Sequence, residues 1–304
     1  MAAPLEADAV VPPALRDAIL AWYDVNGRAL AFRATRDPYA VLVSELMAQQ
    51  TQAERAAEAW TRWMSQFPTV AALAEAPVAD VIRAWAGLGY NRRAINLHRA
   101  AKAVVADHEG RVPATVEGLM LLPGVGPYTA RAVAAIAFGL PVGAVDTNVR
   151  RVLGRVSAGS GDVLPAAQMQ ALADAVVPLE RPGDWTHALM DVGATLCRPR
   201  SPLCPSCPAS AWCGYAAGQR PSSSATARAA ARVPEPAFPA TTRWLRGRIV
   251  ARARDADDGD WVAFDAPIGG HDLSAVREAV VALASDGLIE VRESSAGPEA
   301  RLPR

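Results

Sequence analysis

All four cysteines of this chain lie in one short run of the sequence. They are spaced C-x6-C-x2-C-x5-C, and they are Cys197, Cys204, Cys207 and Cys213. Thiolates that converge this closely can hold a zinc ion or a [4Fe–4S] cluster, and a pair of disulfides is the third possibility. Zinc ribbons usually pair two CxxC knuckles across a longer gap, whereas this run has a single CxxC between gaps of six and five residues. The run predicts one local site on which the order of its own segment depends.

The cellular compartment bears on the choice among these ligands. The first residues include Glu6 and Asp8 and no basic residue before Arg16, so we expect no signal peptide. The longest uncharged apolar stretch, residues 132–145, is interrupted by glycine and proline and is too short to span a bilayer. We therefore expect a cytoplasmic protein without a membrane partner, in a reducing compartment that disfavours structural disulfides.

The charges of the chain are unevenly distributed. The 304 residues carry 31 basic and 31 acidic side chains, so the formal net charge is zero. Residues 91–155 carry nine basic side chains against four acidic ones, a local excess of five positive charges. Such an excess is typical of a surface that faces phosphate, although a solvated helix face is a fair alternative for any single arginine.

The first two hundred residues have helical periodicity and contain no alternating run of strand length. Helices are predicted to begin at Pro13 and Pro38, because proline favours the first helical turn. Further helical patterns cover 52–65, 78–86, 91–107 and 115–121. Residues 217–240 are rich in Ala, Ser, Pro and Arg without apolar periodicity, which predicts a linker.

The last part of the chain, residues 241–304, has a different pattern. Helices are predicted at 241–254 and 272–286, and a short strand follows at 288–291. This order is similar to a winged helix, and a small α+β appendage without DNA contact is the alternative. The segment carries nine arginines against eleven acids, so we do not expect it to bind DNA strongly by itself.

The segment LLPGVGPYTARAV, residues 121–133, predicts a hairpin between two helices. Gly124 and Gly126 allow a tight turn around Val125, and the second helix is predicted to begin near Pro127. The backbone N–H groups of such a hairpin, together with a helix N-terminus, can hold a phosphate without sequence preference. A helix-hairpin-helix that binds the DNA backbone is therefore expected here.

Two acids stand out as candidates for chemistry. Glu45 lies in SELMAQQTQ, within an otherwise apolar helix, so it is either on an exposed face or buried on purpose. Burial would raise its pKa, so that it could donate a proton near neutral pH. Asp146 lies in VDTNVRRV, where it could be the N-cap of the following helix. Capping does not exclude a second, chemical role for this carboxylate, because both roles can hold at once.

Taken together, SELMAQQTQ, GLGYNRRAINLH (87–98), LPGVGPYTA (122–130), VDTNVRRV (145–152) and the cysteine run resemble MutY-type adenine DNA glycosylases of the endonuclease III superfamily. The resemblance covers about residues 14–216. It implies a mainly α, two-lobed fold, with an iron–sulfur lobe at 1–31 and 142–216 and a six-helix lobe with the hairpin at 32–141. A linker at 217–240 and a winged-helix-like unit at 241–304 complete the predicted organisation. The cysteine spacing is the one that holds a [4Fe–4S] cluster in this superfamily.

The resemblance also implies roles for individual residues. Glu45 would protonate adenine, and Asp146 would stabilise the oxocarbenium ion or form a transient adduct. Tyr128 and Asn148 would lie beside the reacting sugar. Gln50 and Tyr90 would wedge into the base stack where adenine is flipped out, because the glycosidic bond cannot be reached in a stacked duplex. The remaining residues expected to contact DNA or the base are Arg33, Gln49, Thr51, Leu88, Gly124, Val125, Gly126 and His187.

The implied activity is a monofunctional, monomeric DNA glycosylase, associated with the nucleoid, that removes adenine mispaired with 8-oxoguanine or guanine in double-stranded DNA. Bifunctional relatives place a lysine where this chain has Tyr128, and Lys102 is the only lysine here. A glycosylase for thymine opposite guanine would share Tyr128 and Asp146 but has no evident need for Glu45. A non-enzymatic iron–sulfur DNA-binding regulator would leave both acids without a role.

The chain departs from the family in three places. Ala31-Phe32-Arg33 stands where the family usually has Pro-Trp-Arg, and His187 stands where it has glutamine or glutamate. A histidine can hydrogen-bond a base through either ring nitrogen, and a surface histidine on a helix capped by Asp184 is the alternative. Residues 241–304 do not resemble the MutT-like domain that reads 8-oxoguanine in many family members, so the sequence predicts least about the opposite base.

Overall fold

The computed structural model describes residues 11–158, 164–218, 237–295 and 297–304. These residues are mainly helical, as predicted. The helices before the cysteine run are α1 (Pro13–Asn26), α2 (Pro38–Ala48), α3 (Ala53–Gln66), α4 (Val70–Glu75), α5 (Val78–Ala84), α6 (Arg92–Asp107), α7 (Val116–Met120), α8 (Pro127–Phe138), α9 (Thr147–Ala158), α10 (Ala166–Ala175) and α11 (Pro182–Asp191). After it come α12 (Thr242–Asp255), α13 (Leu273–Ser285) and the strands β1 (Val262–Ala263), β2 (Glu290–Ser294) and β3 (Gly297–Arg301).

Helix starts follow ordinary capping chemistry. The hydroxyl groups of Thr69 and Thr115 accept hydrogen bonds from backbone amides in the first turns of α4 and α7, and the carboxylate of Asp272 does the same for α13. Proline stands in the first turn of α1 and α8, where the helix leaves its backbone nitrogen without a partner anyway.

The described residues form two compact units. The first runs to Glu45 and resumes over Ala114–Leu121 and from Val125 to the end of the cysteine segment. Its core joins α1, α9, α10 and α11 through buried apolar side chains such as Leu15, Leu153, Leu172 and Trp185, and three of the cysteines pack against it.

The second unit comprises Leu46–Pro113, Leu122–Gly124 and the described residues from 237 onward. Its C-terminal part has a three-stranded antiparallel sheet in the order β1-β3-β2, with Val291 opposite Ala300. This sheet and α12–α13 share one buried cluster with Ile82 of α5 and Ile95 of α6. The C-terminal residues are therefore part of the core of this unit.

The boundaries of these two units differ from those of the two predicted lobes, which stay a prediction. Residues 1–10 of the predicted iron–sulfur lobe and residues 219–236 of the predicted linker lie outside the described residues. Residues 241–304 contain the two predicted helices and three strands, β1 between the helices and β2 and β3 after them, which agrees with the expected small α+β unit.

Candidate active site

Glu45 lies in α2 among buried apolar residues and is itself only 7% exposed. Burial raises the pKa of its carboxyl to about 7, and the charge of Asp146 pushes it in the same direction. The hydroxyl group of Tyr128 hydrogen-bonds Glu45. This hydrogen bond and the positive charge of Arg33 lower the pKa of Glu45, but by less than burial raises it. Near neutral pH a substantial fraction of Glu45 therefore carries a proton, as the sequence predicted for a buried acid.

Tyr128 lies in the first turn of α8 and is held beside Glu45. Burial raises the pKa of its phenol well above the usual value, and the nearby charges of Glu45 and Asp146 add to the increase. The phenol therefore stays protonated and acts as a hydrogen-bond donor. Its oxygen also lies 3.9 Å from Sδ of Met190 on α11.

Asp146 precedes α9 and caps it. Its Oδ1 accepts a hydrogen bond of 2.7 Å from the backbone amide of Val149, and its Oδ2 accepts one of 3.0 Å from Nδ2 of Asn148. Oδ1 of Asn148 accepts from Nη2 of Arg151 at 2.7 Å, and the same Nη2 donates to the carbonyl of Gly193 at 2.7 Å. The carboxylate is thus fixed in position by its own helix and by a chain of side chains.

Gly193 lies in a π-helical turn, Val192–Leu196, that follows α11. A Cβ at this position would come within 2.5 Å of Cβ of Asn148, so only glycine allows the turn to approach α9 this closely. Single π-turns of this kind are frequent at functional sites. No pattern in the sequence predicted this turn.

Arg33 holds a buried carboxylate through both of its terminal nitrogens. Nη1 and Nη2 donate to the two oxygens of Asp191 at 2.6 and 2.8 Å, and Arg28 adds its backbone amide and its Nε. Asp191 is 0% exposed and has a lowered pKa, because these hydrogen bonds and charges outweigh its burial. The buried Nε of Arg33 has no hydrogen-bond partner among the described residues.

His187 on α11 is buried, so the alternative of a surface histidine is wrong. Asp184 does not cap α11 either: the residue before the helix is Arg181, and Oδ2 of Asp184 accepts from its Nε at 2.8 Å. Burial and the charge of Arg33 lower the pKa of His187 to about 3. The imidazole is therefore neutral and offers one donor and one acceptor.

The chemical capacity of this group of residues is clear. A carboxylic acid that is half protonated near neutral pH is held beside a second, fixed carboxylate and a phenol that donates. Such a pair can supply a proton to a leaving group and a negative charge to a developing cation. Arg33 and the neutral His187 lie in the same unit of the chain and contribute hydrogen-bonding groups.

The predicted hairpin lies between α7 and α8. Gly124 has a φ of +80°, and a Cβ there would come within 2.6 Å of Asn96, so the turn requires glycine. Gly126 precedes α8 without a side-chain cap, which leaves the first amides of this helix for an outside acceptor. The side chain of Val125 is buried, so this residue can offer only its backbone.

Gln50 and Tyr90, the two predicted wedge residues, are exposed and have positive φ angles of 56° and 46°. Both loops are held by the buried guanidinium of Arg93. It donates to the carbonyls of Leu46, Met47 and Gln49 at the end of α2, to Thr51 Oγ1, and to the carbonyls of Leu88 and Gly89. One side chain thus fixes the backbone on both sides of the wedge positions.

The other residues predicted to touch DNA in this unit are placed differently. The side chain of Leu88 is buried, at 6% exposure, and Gln49 and Thr51 are half-buried. Their carbonyl and hydroxyl groups face Arg93. In the described residues Tyr90 and Gln50 therefore present the exposed side chains, and the other three support them.

The four cysteines line one cavity, together with Arg155, Leu196 and Tyr215. None is in a disulfide. Burial, with a smaller effect of the three other thiols, raises the pKa of Cys207 to about 11. Arg155 crosses the run: its Nη1 lies 3.3 Å from Sγ of Cys197 and 2.9 Å from the carbonyl of Arg198, and its Nη2 lies 2.9 Å from the carbonyl of Pro199.

Among the described residues, no group of three or more His, Cys, Asp or Glu side chains is already arranged around a position for one metal ion. No helix in the described ranges is long and apolar enough to cross a membrane. The ligand role of the cysteines stays a prediction.

Comparison with known proteins decides the family. A model of HhH-GPD superfamily base excision DNA repair proteins matches residues 43–178. The adenine DNA glycosylase of Mycobacterium tuberculosis is 42% identical over 244 residues, which cover 79% of this chain and 78% of that protein. The chain belongs to the adenine DNA glycosylase family of this superfamily. It is a hydrolase of the N-glycosidic bond, as the motifs predicted.

Solved structures agree on the fold of this adenine DNA glycosylase. A thermostable thymine-DNA glycosylase has a TM-score of 0.63 and 32% identity, and the match covers 67% of this chain and 95% of that one. Endonuclease III, trapped as a covalent intermediate with DNA, has a TM-score of 0.58 and 25% identity with the same shares. The prediction of an endonuclease III-like helical fold is confirmed.

Sequence reasoning missed four residues that hold candidate residues in place. They are Arg93, Arg155, Asp191 and Tyr23, whose ring centre lies 5.8 Å from the guanidinium carbon of Arg33. Arg93 had a readable signal, because it falls on the helical stripe of α6 that includes the buried Leu97 and Val104. Asp191 had none, since its partner Arg33 lies 158 residues away in the sequence.

Proposed function

We propose that this enzyme removes adenine mispaired with 8-oxoguanine or guanine from double-stranded DNA, as a monomer associated with the nucleoid, and leaves the DNA strand intact. The observation that carries the proposal is Glu45, a buried acid with a pKa of about 7 next to the fixed carboxylate of Asp146. Neutral adenine is a poor leaving group until a ring nitrogen is protonated. A proton donor that is still substantially protonated near neutral pH supports this reaction in particular.

The proposed reaction begins with adenine flipped out of the stack. Glu45 donates its proton to a ring nitrogen, and the bonding pair of the glycosidic bond leaves with the base. Asp146 stabilises the positive charge on the sugar. A water molecule then attacks the sugar carbon, and the carboxylate left on Glu45 takes the proton of that water, which restores the starting state.

The two acids have different surroundings. Burial keeps the pKa of Glu45 high, although the hydrogen bond from Tyr128 acts to lower it. The amide of Val149 and the side chain of Asn148 donate to Asp146 and hold its carboxylate in place. We assign proton donation to Glu45 and charge stabilisation to Asp146 on the basis of this difference.

Arg33 and His187 are proposed to hold the adenine. The Nε of Arg33 is a buried donor without a partner among the described residues, and a ring nitrogen of the base would satisfy it. The neutral imidazole of His187 can accept from the exocyclic amine or donate to a ring nitrogen. Histidine here changes the contact used by glutamine or glutamate in the family but keeps its capacity for hydrogen bonding.

DNA binding is proposed to use the hairpin and the two wedges. The uncapped amides at the start of α8 suit a phosphate, and the glycine turn lets the backbone approach it. Gln50 and Tyr90 stand exposed on loops that Arg93 holds from behind. Side chains fixed in this way can enter a base stack without first having to be ordered.

The four cysteines are proposed to hold a [4Fe–4S] cluster. The residues fit this group, because all four thiols line one cavity, none is oxidised, and Arg155 is a donor to Cys197 Sγ. When bound, the cluster would tie Cys197 and the three-residue helical turns Cys204–Ser206 and Ser210–Trp212 together and would supply no step of the hydrolysis. Purified protein should be yellow-brown, with broad absorbance near ~400 nm.

A thymine glycosylase is the second candidate, favoured by the structural likeness to such an enzyme. Single-turnover assays on duplexes with adenine opposite 8-oxoguanine, adenine opposite guanine and thymine opposite guanine separate the candidates. Adenine release on the first two duplexes is expected. Release of thymine alone would contradict the proposal, and binding without release on any duplex would support the regulator that the sequence left open.

A further inference from the structure

Tyr90 touches residues that come from the far end of the chain. The terminal Nη1 of Arg243, in the first turn of α12, hydrogen-bonds the hydroxyl group of Tyr90. The guanidinium carbon of Arg243 also lies 5.3 Å from the centre of the Tyr90 ring and 4.9 Å from the centre of the Phe238 ring. All three residues belong to the same unit of the structure. They form a row of aromatic ring, cation and aromatic ring.

This row is open to solvent, although its parts are large and apolar. Tyr90 is 42% exposed and Phe238 is 53% exposed, and Arg243 is exposed as well. Removing an aromatic ring from water lowers the free energy. Two exposed rings on either side of a cation therefore indicate a surface that is covered by a planar group of a ligand. Nucleobases stack on aromatic rings and on guanidinium planes, and their phosphates attract the positive charge.

The row is held rigidly from both sides. Arg93 lies 5.6 Å from the Tyr90 ring and binds the carbonyl of the preceding Gly89. Helix α12 is fixed by Leu245 and Ile249, which share a buried cluster with Ile82 and Ile95. The C-terminal residues of the second unit therefore hold Arg243 in a constant position beside Tyr90.

We propose that Arg243 and Phe238 complete, with Tyr90, a stacking surface for the base that stays in the duplex opposite the extruded adenine. This inference rests on the proposed function and deepens it. Phe238 stacks on that base or its neighbour, and Arg243 positions Tyr90 through the hydrogen bond and contributes its own plane. The residues that read the opposite base are thus shared between the catalytic segment and the C-terminal unit.

The exposed residues of α13 and of the sheet offer no alternative DNA-binding surface among the described C-terminal residues. In a winged helix the second helix enters the DNA groove, but the exposed side chains of α13 include Arg277 and Glu278, which cancel, and Val281. The sheet carries Arg292 and Arg301 in ion pairs with Glu299 and Glu290. The unit therefore meets DNA through the start of α12, if it acts on the proposed substrate.

The test uses the full chain and a duplex with a non-cleavable 2′-fluoro adenosine opposite 8-oxoguanine, beside a fully paired duplex. Affinities are measured by fluorescence anisotropy for Arg243→Ala, Phe238→Ala and Tyr90→Phe. Arg248→Ala is the matched control, since it removes one exposed positive charge from the same helix. We expect Arg243→Ala and Phe238→Ala to weaken binding to the lesion duplex by on the order of 5- to 100-fold, as for the loss of one stacking group.

Binding of the paired duplex should fall no more than it does in Arg248→Ala. Arg243→Lys should restore binding of the paired duplex but not the lesion preference, because an ammonium keeps the charge and lacks the plane. Tyr90→Phe and Arg243→Ala should be less than additive, since both break the same hydrogen bond. A variant that was merely less stable would lose binding to both duplexes alike, so it would not give this pattern of results.

Equal weakening of binding to both duplexes would mean an ordinary phosphate contact and would overturn the inference. Equal affinities of Arg243→Ala and Arg248→Ala for the lesion duplex would overturn it as well. The substituted side chains are exposed, so folded variants are expected, and thermal unfolding checks this. Failure of the proposed function appears differently, as wild-type protein that binds the lesion duplex and releases no adenine. The two hypotheses can therefore fail separately.

Discussion

Two carboxyl groups of the same unit have different surroundings. Glu45 is enclosed by apolar side chains and one phenol, and its pKa is raised to about 7. Asp146 is half-buried and accepts hydrogen bonds from Val149 and Asn148. The sequence predicted the possible burial of Glu45 and the capping by Asp146, because both depend on neighbouring residues. It did not predict the hydrogen bond from Tyr128 to Glu45, because these two residues come from different segments.

Glu45→Gln is expected to bind duplex DNA and to lose adenine excision by on the order of 10²–10⁴, since an amide cannot donate the proton. For the wild type, single-turnover excision should be fastest below pH 7 and fall towards tenfold per pH unit above it, as Glu45 ionises. Rates measured from pH 6 to 9 test this. A flat profile, or normal turnover by Glu45→Gln, would contradict acid catalysis and favour the thymine alternative.

The same shift predicts a change in stability with pH. The pKa of Glu45 is higher in the folded protein than in the unfolded chain, so the folded protein binds more protons between pH 4.5 and about 7 and loses stability as the pH rises through that window. Glu45→Gln removes this penalty. It should therefore be more stable than wild type at pH 8, by on the order of 1–3 kcal/mol, and similar at pH 4. Urea unfolding at the two pH values measures the difference, and an equal effect at both would disprove it.

Asp146→Asn separates the two roles of this residue. Asparagine caps a helix as well as aspartate does, so the stability of α9 should change little. Excision should nevertheless fall sharply, since the amide cannot balance the charge on the sugar. Thermal unfolding and single-turnover rates are compared with those of Asp146→Ala. This variant should lose both excision and about 1 kcal/mol of folding stability, because alanine cannot cap the helix. Full activity of Asp146→Asn would assign the residue to capping alone.

At the scale of elements, the helices with strong apolar periodicity were predicted within a residue or two. The pattern at 91–107 became α6 (Arg92–Asp107), and that at 241–254 became α12 (Thr242–Asp255). Short α4 (Val70–Glu75) and the π-turn Val192–Leu196 were not predicted. Six residues carry less than two turns of periodicity, and the π-turn depends on contact with Asn148 on another helix. A local sequence pattern predicts an element only where the residues of that element, and not its tertiary contacts, determine its conformation.

Arg155 joins α9 to the cysteine run, and its loss should release the proposed cluster. Arg155→Met keeps an unbranched apolar side chain but removes the donors to Cys197 Sγ and to the carbonyls of Arg198 and Pro199. We expect poorly soluble protein with little absorbance near ~400 nm. Arg150→Met, on the same helix, is the control and should stay coloured. An equally coloured and soluble Arg155→Met would show that the run orders itself without this side chain.

Arg93 joins two loops in a similar way. Arg93→Lys keeps the charge but cannot reach the carbonyls of both wedge loops at once, because an ammonium has three donors on one atom. We expect lower thermal stability and a smaller preference for the lesion duplex over the paired one. Arg92→Lys, a neighbouring exposed position, should change neither. If Arg93→Lys kept its full lesion preference, the loops would have to be ordered by other contacts.

At the scale of the whole chain, a single lysine limits the chemistry. A strand-cleaving glycosylase uses an amine to attack the sugar, and Lys102 lies exposed on α6, in a different unit from Tyr128. After excision, the strand should stay intact until it is treated with alkali, and borohydride should trap little covalent complex. Lys102→Ala should behave like wild type. Prompt cleavage without alkali that persists in Lys102→Ala would require another amine, such as the N-terminus.

The C-terminal residues belong to the core of the second unit, and this changes what their removal would do. The sequence predicted a linker followed by a small α+β unit, an arrangement typical of a separable appendage. Deletion from residue 237 would instead uncover Ile82 and Ile95, each of which gains about 1.5–3 kcal/mol from burial. We expect the truncated chain to melt at a lower temperature, to bind a hydrophobic dye and to excise adenine poorly. Ile82→Glu in the truncated chain serves as the matched variant: it should reduce dye binding because the uncovered surface becomes polar. Unchanged melting and excision after deletion would show that the appendage is separable, and that its shared cluster with α5 and α6 contributes little to stability.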